Sequence, residues 1–179
     1  MMGQAEYNSL IYVFGGWNAI PVATAVAEVH SYNQATNAWT AKASIPAQSG
    51  IAAARAGVRC AVIGTKIYVV GGGDVLLDVA SSIVQVYRPD TNTWDSPVTS
   101  MPAKRTRGSI GVIDGKIYYA GGLDELGASK TTTYCYDPAL NSWSTKTALP
   151  ATFHDQAYAV VGGYLYIVGG QKAGAVTSE

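Results

Sequence analysis

The sequence predicts an all-β protein, a series of four-stranded antiparallel sheets standing side by side with their inner edges toward a common axis. Three observations predict it. An apolar run that ends in a glycine pair occurs four times, and a tyrosine and a tryptophan seven residues apart follow the first three of those pairs. Between these landmarks the chain shows neither a helical period nor helix start and stop signals.

The apolar runs are "LIYVFGG" ending at Gly16, "KIYVVGG" at Gly72, "KIYYAGG" at Gly122 and "YLYIVGG" at Gly170, in steps of 56, 50 and 48 residues. The aromatic pairs are Tyr32 and Trp39, Tyr87 and Trp94, and Tyr136 and Trp143, in the segments "YNQATNAW", "YRPDTNTW" and "YDPALNSW". Behind each tryptophan stands an apolar-proline pair: Ile45-Pro46, Met101-Pro102 and Leu149-Pro150. A glycine loop that cradles a phosphate should occur once and open a helix. A pair that recurs four times with no helix behind it is architectural. The expected role is to let an aromatic ring of the same or the next sheet lie on backbone that lacks a side chain.

Within each unit the first two runs are apolar without alternation, as in "CAVIG" then "KIYVV" or "YAVVG" then "YLYIV", which marks strands buried on both faces. The third run alternates more ("SIVQVYRPD", "TTTYCYDP") and the fourth is short and polar around its tryptophan. Polarity therefore rises from an inner edge to an outer one, whereas a two-layer sandwich would alternate in every strand. "IDGK" at 113–116 is an Asp-Gly hairpin signal, and "IGTK" and "VGGY" hold the matching places. The Pro, Asp and Asn of the "PDTNTW" type of link close the outer hairpin.

These correlated landmarks resemble the kelch repeat over most of the chain, from about Leu10 to Gly170. The resemblance implies a β-propeller whose blades each hold four antiparallel strands. The units fall at about 7–47 (partial), 55–102, 105–150 and 153–179 (partial). Only nine residues precede Leu10, so unit 1 is expected to lack its innermost strand; unit 4 ends after its two inner strands. About three and a half blades are fewer than the four to eight of a closed ring. The ring is therefore expected to be completed by a longer protein or by a second copy, a homodimer. In such a dimer two strands of one copy would join three of the other in a shared blade.

Composition narrows the function classes. Hydrophobic residues make up 48% of the chain and charged ones 13%, the balance of an ordered domain. Twelve Lys and Arg balance twelve Asp and Glu, so no net field recruits nucleic acid or an anionic membrane. The longest apolar stretch, 157–170, is too short for a bilayer span and is broken by Gly-Gly. No signal peptide is visible, and the Ala-, Thr- and Asn-rich low-charge style resembles prokaryotic extracellular or cell-surface kelch proteins. Cys60 and Cys135 are expected as buried structural thiols, and no metal or cofactor is expected.

Kelch propellers use the rim around the central channel to grip ligands. Aligned on the glycine pairs, the rim candidates are Arg55 and Arg105, with Phe153 in the place of a third arginine. Two such guanidiniums could clasp a carboxylate or an acidic peptide. His154 follows Phe153, with Asp155 beside it on the opposite face. The links after Gly-Gly offer Trp17, Asp74, Asp124 and Glu125, and "SGIAAA" at 49–54 enlarges one rim loop. Arg59 and Arg107 are read as rim or strand residues and His30 as structural. The function expected is a non-catalytic scaffold that binds a protein, peptide or carbohydrate. A sugar-active enzyme resembling the kelch-type sialic acid epimerases is the alternative, and a truncated fragment without its own role a third.

Overall fold

The computed structural model describes residues 2–18, 24–48, 52–74, 79–172 and 175–176. The four units are visible as antiparallel sheets. Unit 1 holds Gly3–Tyr7, Leu10–Phe14, Val29–Asn33 and Ala38–Lys42; unit 2 holds Arg59–Ile63, Lys66–Val70, Val84–Arg88 and Thr93–Trp94. Unit 3 holds Ser109–Ile113, Lys116–Ala120, Thr133–Asp137 and Ser142–Lys146, and unit 4 the pair Ala157–Val161 and Tyr164–Val168. In each full sheet the strands lie in chain order, and the first strands of successive units pack on one another. The sheets are not closed into a ring.

Unit 1 corrects an expectation: it does have an innermost strand. Gly3–Tyr7 pairs with Leu10–Phe14 along its whole length, from Gly3↔Phe14 to Tyr7↔Leu10. Asn8 and Ser9, at φ 48° and 61°, form the two-residue turn with both residues left-handed that suits the twist of a hairpin. "GQAEY" escaped recognition because it alternates, with Gln4 and Glu6 exposed between less exposed neighbours. With four strands already in unit 1, a shared blade of two and three strands has no room to form.

A second correction concerns the glycine pairs. What they seat is the backbone of the next unit and not an aromatic ring. The Gly16 N–H donates to the Arg55 carbonyl at 3.0 Å, Gly72 to Arg105 at 3.0 Å and Gly122 to Phe153 at 2.9 Å. The preceding glycine lets that carbonyl approach: a Cβ on Gly121, where φ is +68°, would stand 2.8 Å from the Phe153 oxygen. A ring on bare backbone does occur, but at Gly108, whose N–H donates to the Tyr119 hydroxyl at 3.0 Å.

The aromatic residues hold units together at mid-depth and at the outer edge. The first two strands of every unit oppose a small residue to a tyrosine: Ala5↔Tyr12, Ala61↔Tyr68, Gly111↔Tyr118 and Ala159↔Tyr166. Tyr12 then meets Tyr87 of unit 2 at 6.1 Å, and Tyr68 meets Tyr136 of unit 3 at 6.0 Å. Each forms the middle of a buried cluster between neighbouring sheets. Farther out, Trp94 Nε1 donates to the Ala43 carbonyl at 3.1 Å and Trp143 Nε1 to that of Thr99 at 2.9 Å, so each tryptophan clips the preceding unit. Trp39 has no preceding unit among the described residues and is 58% exposed. Cys60 and Cys135 are free and buried, and burial pushes the Cys60 thiol well up.

Candidate functional site at the axis

The two rim segments of each unit are sewn together. The residue after the glycine pair exchanges hydrogen bonds with the residue that opens the same unit: Gly73 with Ala56, Leu123 with Thr106 and Gln171 with His154. One residue farther on, the chain turns left-handed in three units, at Gly57 (φ 64°), Arg107 (59°) and Asp155 (57°). These three form a ladder across the units, Arg107 N–H to the Gly57 carbonyl and Asp155 N–H to the Arg107 carbonyl, each at 3.0 Å. Left-handed backbone is costly for arginine and aspartate. Holding both there fixes where their side chains start.

Beside that ladder lies a cavity of about 330 Å³ lined by Met2 and Gln4 of unit 1, Arg59 of unit 2, and Gln156, Ala157 and Tyr158 of unit 4. Arg59 spans it. Its Nε donates to the Gly108 carbonyl, its guanidinium lies 5.8 Å over the Tyr158 ring, and its Nη2 stands 3.9 Å from Asp155 Oδ1. Arg107 Nη1 donates to Asp155 Oδ2 at 3.3 Å. Two guanidiniums thus face one carboxylate. Burial raises the Tyr158 pKa and Arg59 partly offsets it, so the phenol keeps its proton at neutral pH. Gln156 is 5% exposed, and among the described residues neither its Oε1 nor its Nε2 has a hydrogen-bond partner.

The residues singled out from sequence lie outside the lining of this cavity, with Arg55, Arg105 and His154 on the rim segments as expected. Arg55 is buried against its own unit's third strand, donating to Gln85 Oε1, while Gln85 Nε2 donates to the Pro46 carbonyl at 2.8 Å. Burial pulls the Arg55 pKa down to about 10. Arg105 lies 5.7 Å over the Tyr134 ring and donates to the Lys104 carbonyl at 2.7 Å and to Thr132 Oγ1 at 3.4 Å. Among the described residues the two arginines share no partner. His154 is buried, with Nε2 3.1 Å from Gln171 Oε1 and Nδ1 2.9 Å from the Ser129 hydroxyl. Trp17 is half-buried in the short strand Trp17–Asn18, paired with Thr24–Ala25.

Asp74 pairs through its backbone with Val79, and its side chain lies outside the described residues, as do 49–51 of the enlarged loop. Asp124 closes its own loop, accepting the Ala128 and Leu126 amides at 2.8 and 3.0 Å and pairing with Lys130 at 2.5 Å. His30 stands on the uncovered side of unit 1, 3.5 Å from Glu28. Gln4, Gln156 and Tyr158 were missed by sequence reasoning. The signal that could have found Gln156 is its alignment with Val58 and Gly108, where an amide replaces apolar or absent side chains.

Comparison with known proteins agrees with this architecture. The family described as the KLHDC2/KLHL20/DRC7 Kelch-repeats domain matches residues 3–178. Kelch-like protein 25 of Xenopus tropicalis is 30% identical over 176 residues, which cover 94% of this chain and 28% of that protein. Kelch-like protein terF of Aspergillus terreus is 33% identical over 119 residues, 62% of this chain and 26% of that one. Beta-scruin of Limulus polyphemus is 34% identical over 109 residues, 58% of this chain and 12% of its own length. The chain therefore spans from about a tenth to just over a quarter of these relatives. The solved structure of YjhT superposes with a TM-score of 0.74 at 19% identity, covering 95% of this chain and 58% of the other, a likeness of fold. Repeated glycine seats, tryptophan clips and stacked sheets, together with a family match over nearly the whole length, establish that the chain belongs to the Kelch-repeat family.

Proposed function

We propose that the chain is a binding module that holds an extended polypeptide at the axial cavity, between Gln4, Arg59, Gln156 and Tyr158, without chemistry of its own. The observation that carries this is Gln156. Among the described residues its buried amide has both ends unpartnered, which is costly, and a peptide group offers it one donor and one acceptor. The two guanidiniums around Asp155 leave one positive charge uncancelled, which favours an acidic residue beside that peptide group. Kinship with Kelch-like proteins supports a protein ligand over a carbohydrate. The test is selection from a displayed peptide library in parallel with a glycan panel, followed by titration of Gln156→Leu and Arg59→Gln. Saturable peptide binding that both variants weaken at least tenfold, with the fold retained, is expected. Sugar turnover, or peptide binding indifferent to both changes, overturns the reading.

Self-association forms part of the same proposal. Val161, Tyr164, Tyr166 and Val168 are between 53% and 70% exposed on one face of unit 4. The same face in units 1 to 3 is covered by the next unit, and a contiguous apolar patch of this kind favours a partner. Sedimentation should find a dimer of the 18.7 kDa chain. A monomer at micromolar concentration would argue against it.

A further inference from the structure

Two contacts of the axial site meet at Gly108. Its carbonyl accepts the Arg59 Nε proton, the hydrogen bond that aims this guanidinium toward Tyr158 and Asp155. On its other side, the peptide that joins residues 107 and 108 carries the Arg107 carbonyl, which accepts the Asp155 N–H at 3.0 Å. Arg59 and Asp155 thus both take their bearings from one short piece of unit 3. Glycine, with the widest choice of backbone conformations, is the residue least able to hold such a piece still by itself.

What holds it is Tyr119. The Gly108 N–H donates to the Tyr119 hydroxyl at 3.0 Å, and both residues are buried. A Cβ at Gly108 would stand 2.5 Å from Tyr119 Cε1, so the ring occupies the space where another residue would place its side chain. At these two places units 1, 2 and 4 carry Met2 with Val13, Val58 with Val69, and Gln156 with Ile167, and unit 3 alone carries a glycine with a tyrosine. The pair is therefore no part of what repeats. A phenylalanine ring would fill the same gap, so packing does not account for the oxygen. The oxygen satisfies a buried N–H that is costly to leave unpaired. Burial pushes the Tyr119 phenol up to about 12 against the pull of Arg59, so the hydroxyl stays neutral at physiological pH.

We propose that Tyr119, which lies outside the cavity lining, is a positioning residue of the axial site: its hydroxyl fixes the Gly108 amide and, through it, the direction in which Arg59 presents its guanidinium. A donor already held in place loses less freedom when a ligand arrives, and a site gains affinity from the residues that hold it. The effect on affinity rests on the axial reading above; the effect on Arg59 does not.

Tyr119→Phe keeps the ring and removes only the oxygen. The Arg59 Nε–H signal is followed by NMR in the isotope-labelled full chain and assigned by its loss in Arg59→Gln. The control is Tyr136→Phe, which deletes the hydroxyl given to Asn141 Oδ1 at 2.7 Å in the outer turn of the same sheet. Exchange of the Arg59 Nε–H with water should accelerate about tenfold in Tyr119→Phe and stay unchanged in the control. A peptide selected for the axial cavity should bind Tyr119→Phe about three- to tenfold more weakly, with no further loss when the change is added to Arg59→Gln. Unchanged exchange in Tyr119→Phe, or equal acceleration in the two variants, overturns the proposal, as does an affinity loss that persists in the Arg59→Gln background. If no peptide binds the cavity, the axial reading falls, and the exchange comparison still decides whether Tyr119 aims Arg59.

Discussion

Replacing Asn92 by alanine should cost about 1–2 kcal/mol more than replacing Asn37, although the two asparagines occupy the same turn. Both are left-handed, at φ 56° and 51°, and both accept a tyrosine hydroxyl, Tyr87 at 2.7 Å and Tyr32 at 2.9 Å. Those losses, and the strain of alanine at positive φ, occur in both variants, although the Tyr87 bond is the more buried of the two and adds to the difference. Asn92 alone also accepts the Ala43 N–H of the preceding unit, at 2.7 Å. Losing that bond removes roughly 0.5–1.5 kcal/mol, and the half-buried amide left behind adds a similar amount where water reaches it poorly. Asn141, which accepts the Thr99 N–H at 2.9 Å, should behave like Asn92. Urea denaturation of the three variants, with m-values compared to confirm one cooperative transition, gives the differences directly. Equal costs for Asn37→Ala and Asn92→Ala would refute the claim that this residue joins units as well as closing a turn.

Gly121→Ala should lose about 2–4 kcal/mol by the same assay, from positive φ and from the collision of its Cβ with the Phe153 carbonyl; a loss under about 1 kcal/mol would mean the seat is loose. Arg55→Met should change stability by no more than about 1 kcal/mol, since it removes a buried cation with two nitrogens unpartnered among the described residues, and should leave binding at the axial cavity unchanged. Lost binding with the fold intact would return Arg55 to the ligand site. Three carboxylates titrate below their ordinary value of 3.8: Asp95 through the hydrogen bond of Arg88, Asp137 through that of Lys116, and Asp124 because Lys130 and two amides outweigh its burial. Their contribution is present above that value and lost as pH falls through the lowered ones, so the urea midpoint should hold from neutrality to about pH 4.5 and drop below about 3.8. Asp95→Asn should flatten part of that drop.

Much of the fold was legible because its landmarks are conformational. Glycine pairs with left-handed backbone, Asn-centred turns and aromatic pairs at fixed spacing leave marks that repetition amplifies. Gly3–Tyr7 was not legible, because an inner strand with one uncovered face alternates and so lacks the double-sided apolar signature of its equivalents. The glycine pairs were recognised, yet their contact was misassigned. A glycine declares that something comes close and does not declare whether that is a ring or a carbonyl. The arginines chosen for the rim were marked by position in the repeat, and their shared position serves inter-strand packing. Only coordinates reveal that Arg59, four residues beyond Arg55, is the one that reaches units 3 and 4.

That contrast follows from what repetition requires. Residues that join one unit to the next face the same neighbour each time, so they recur: the glycine seat, the tyrosine stack, the tryptophan clip. Near the axis the backbone recurs as strictly, with the same left-handed turn in three units and the same rim pairing. The side chains there do not. Successive units carry Gly57, Arg107 and Asp155 at one level, Val58, Gly108 and Gln156 at the next, and Gly3, Arg59, Ser109 and Ala157 below. Identical side chains at these levels would gather like charges in one space. Varied ones build a single asymmetric site on a symmetric frame, and among the described residues this is where Ser109 Oγ, Asp155 Oδ1 and both ends of Gln156 are left without a hydrogen-bond partner. The frame is specified by what repeats and the binding chemistry by what does not, which is why the polar residues of the axis, and not the recurrent arginines of the rim, carry the proposed ligand site.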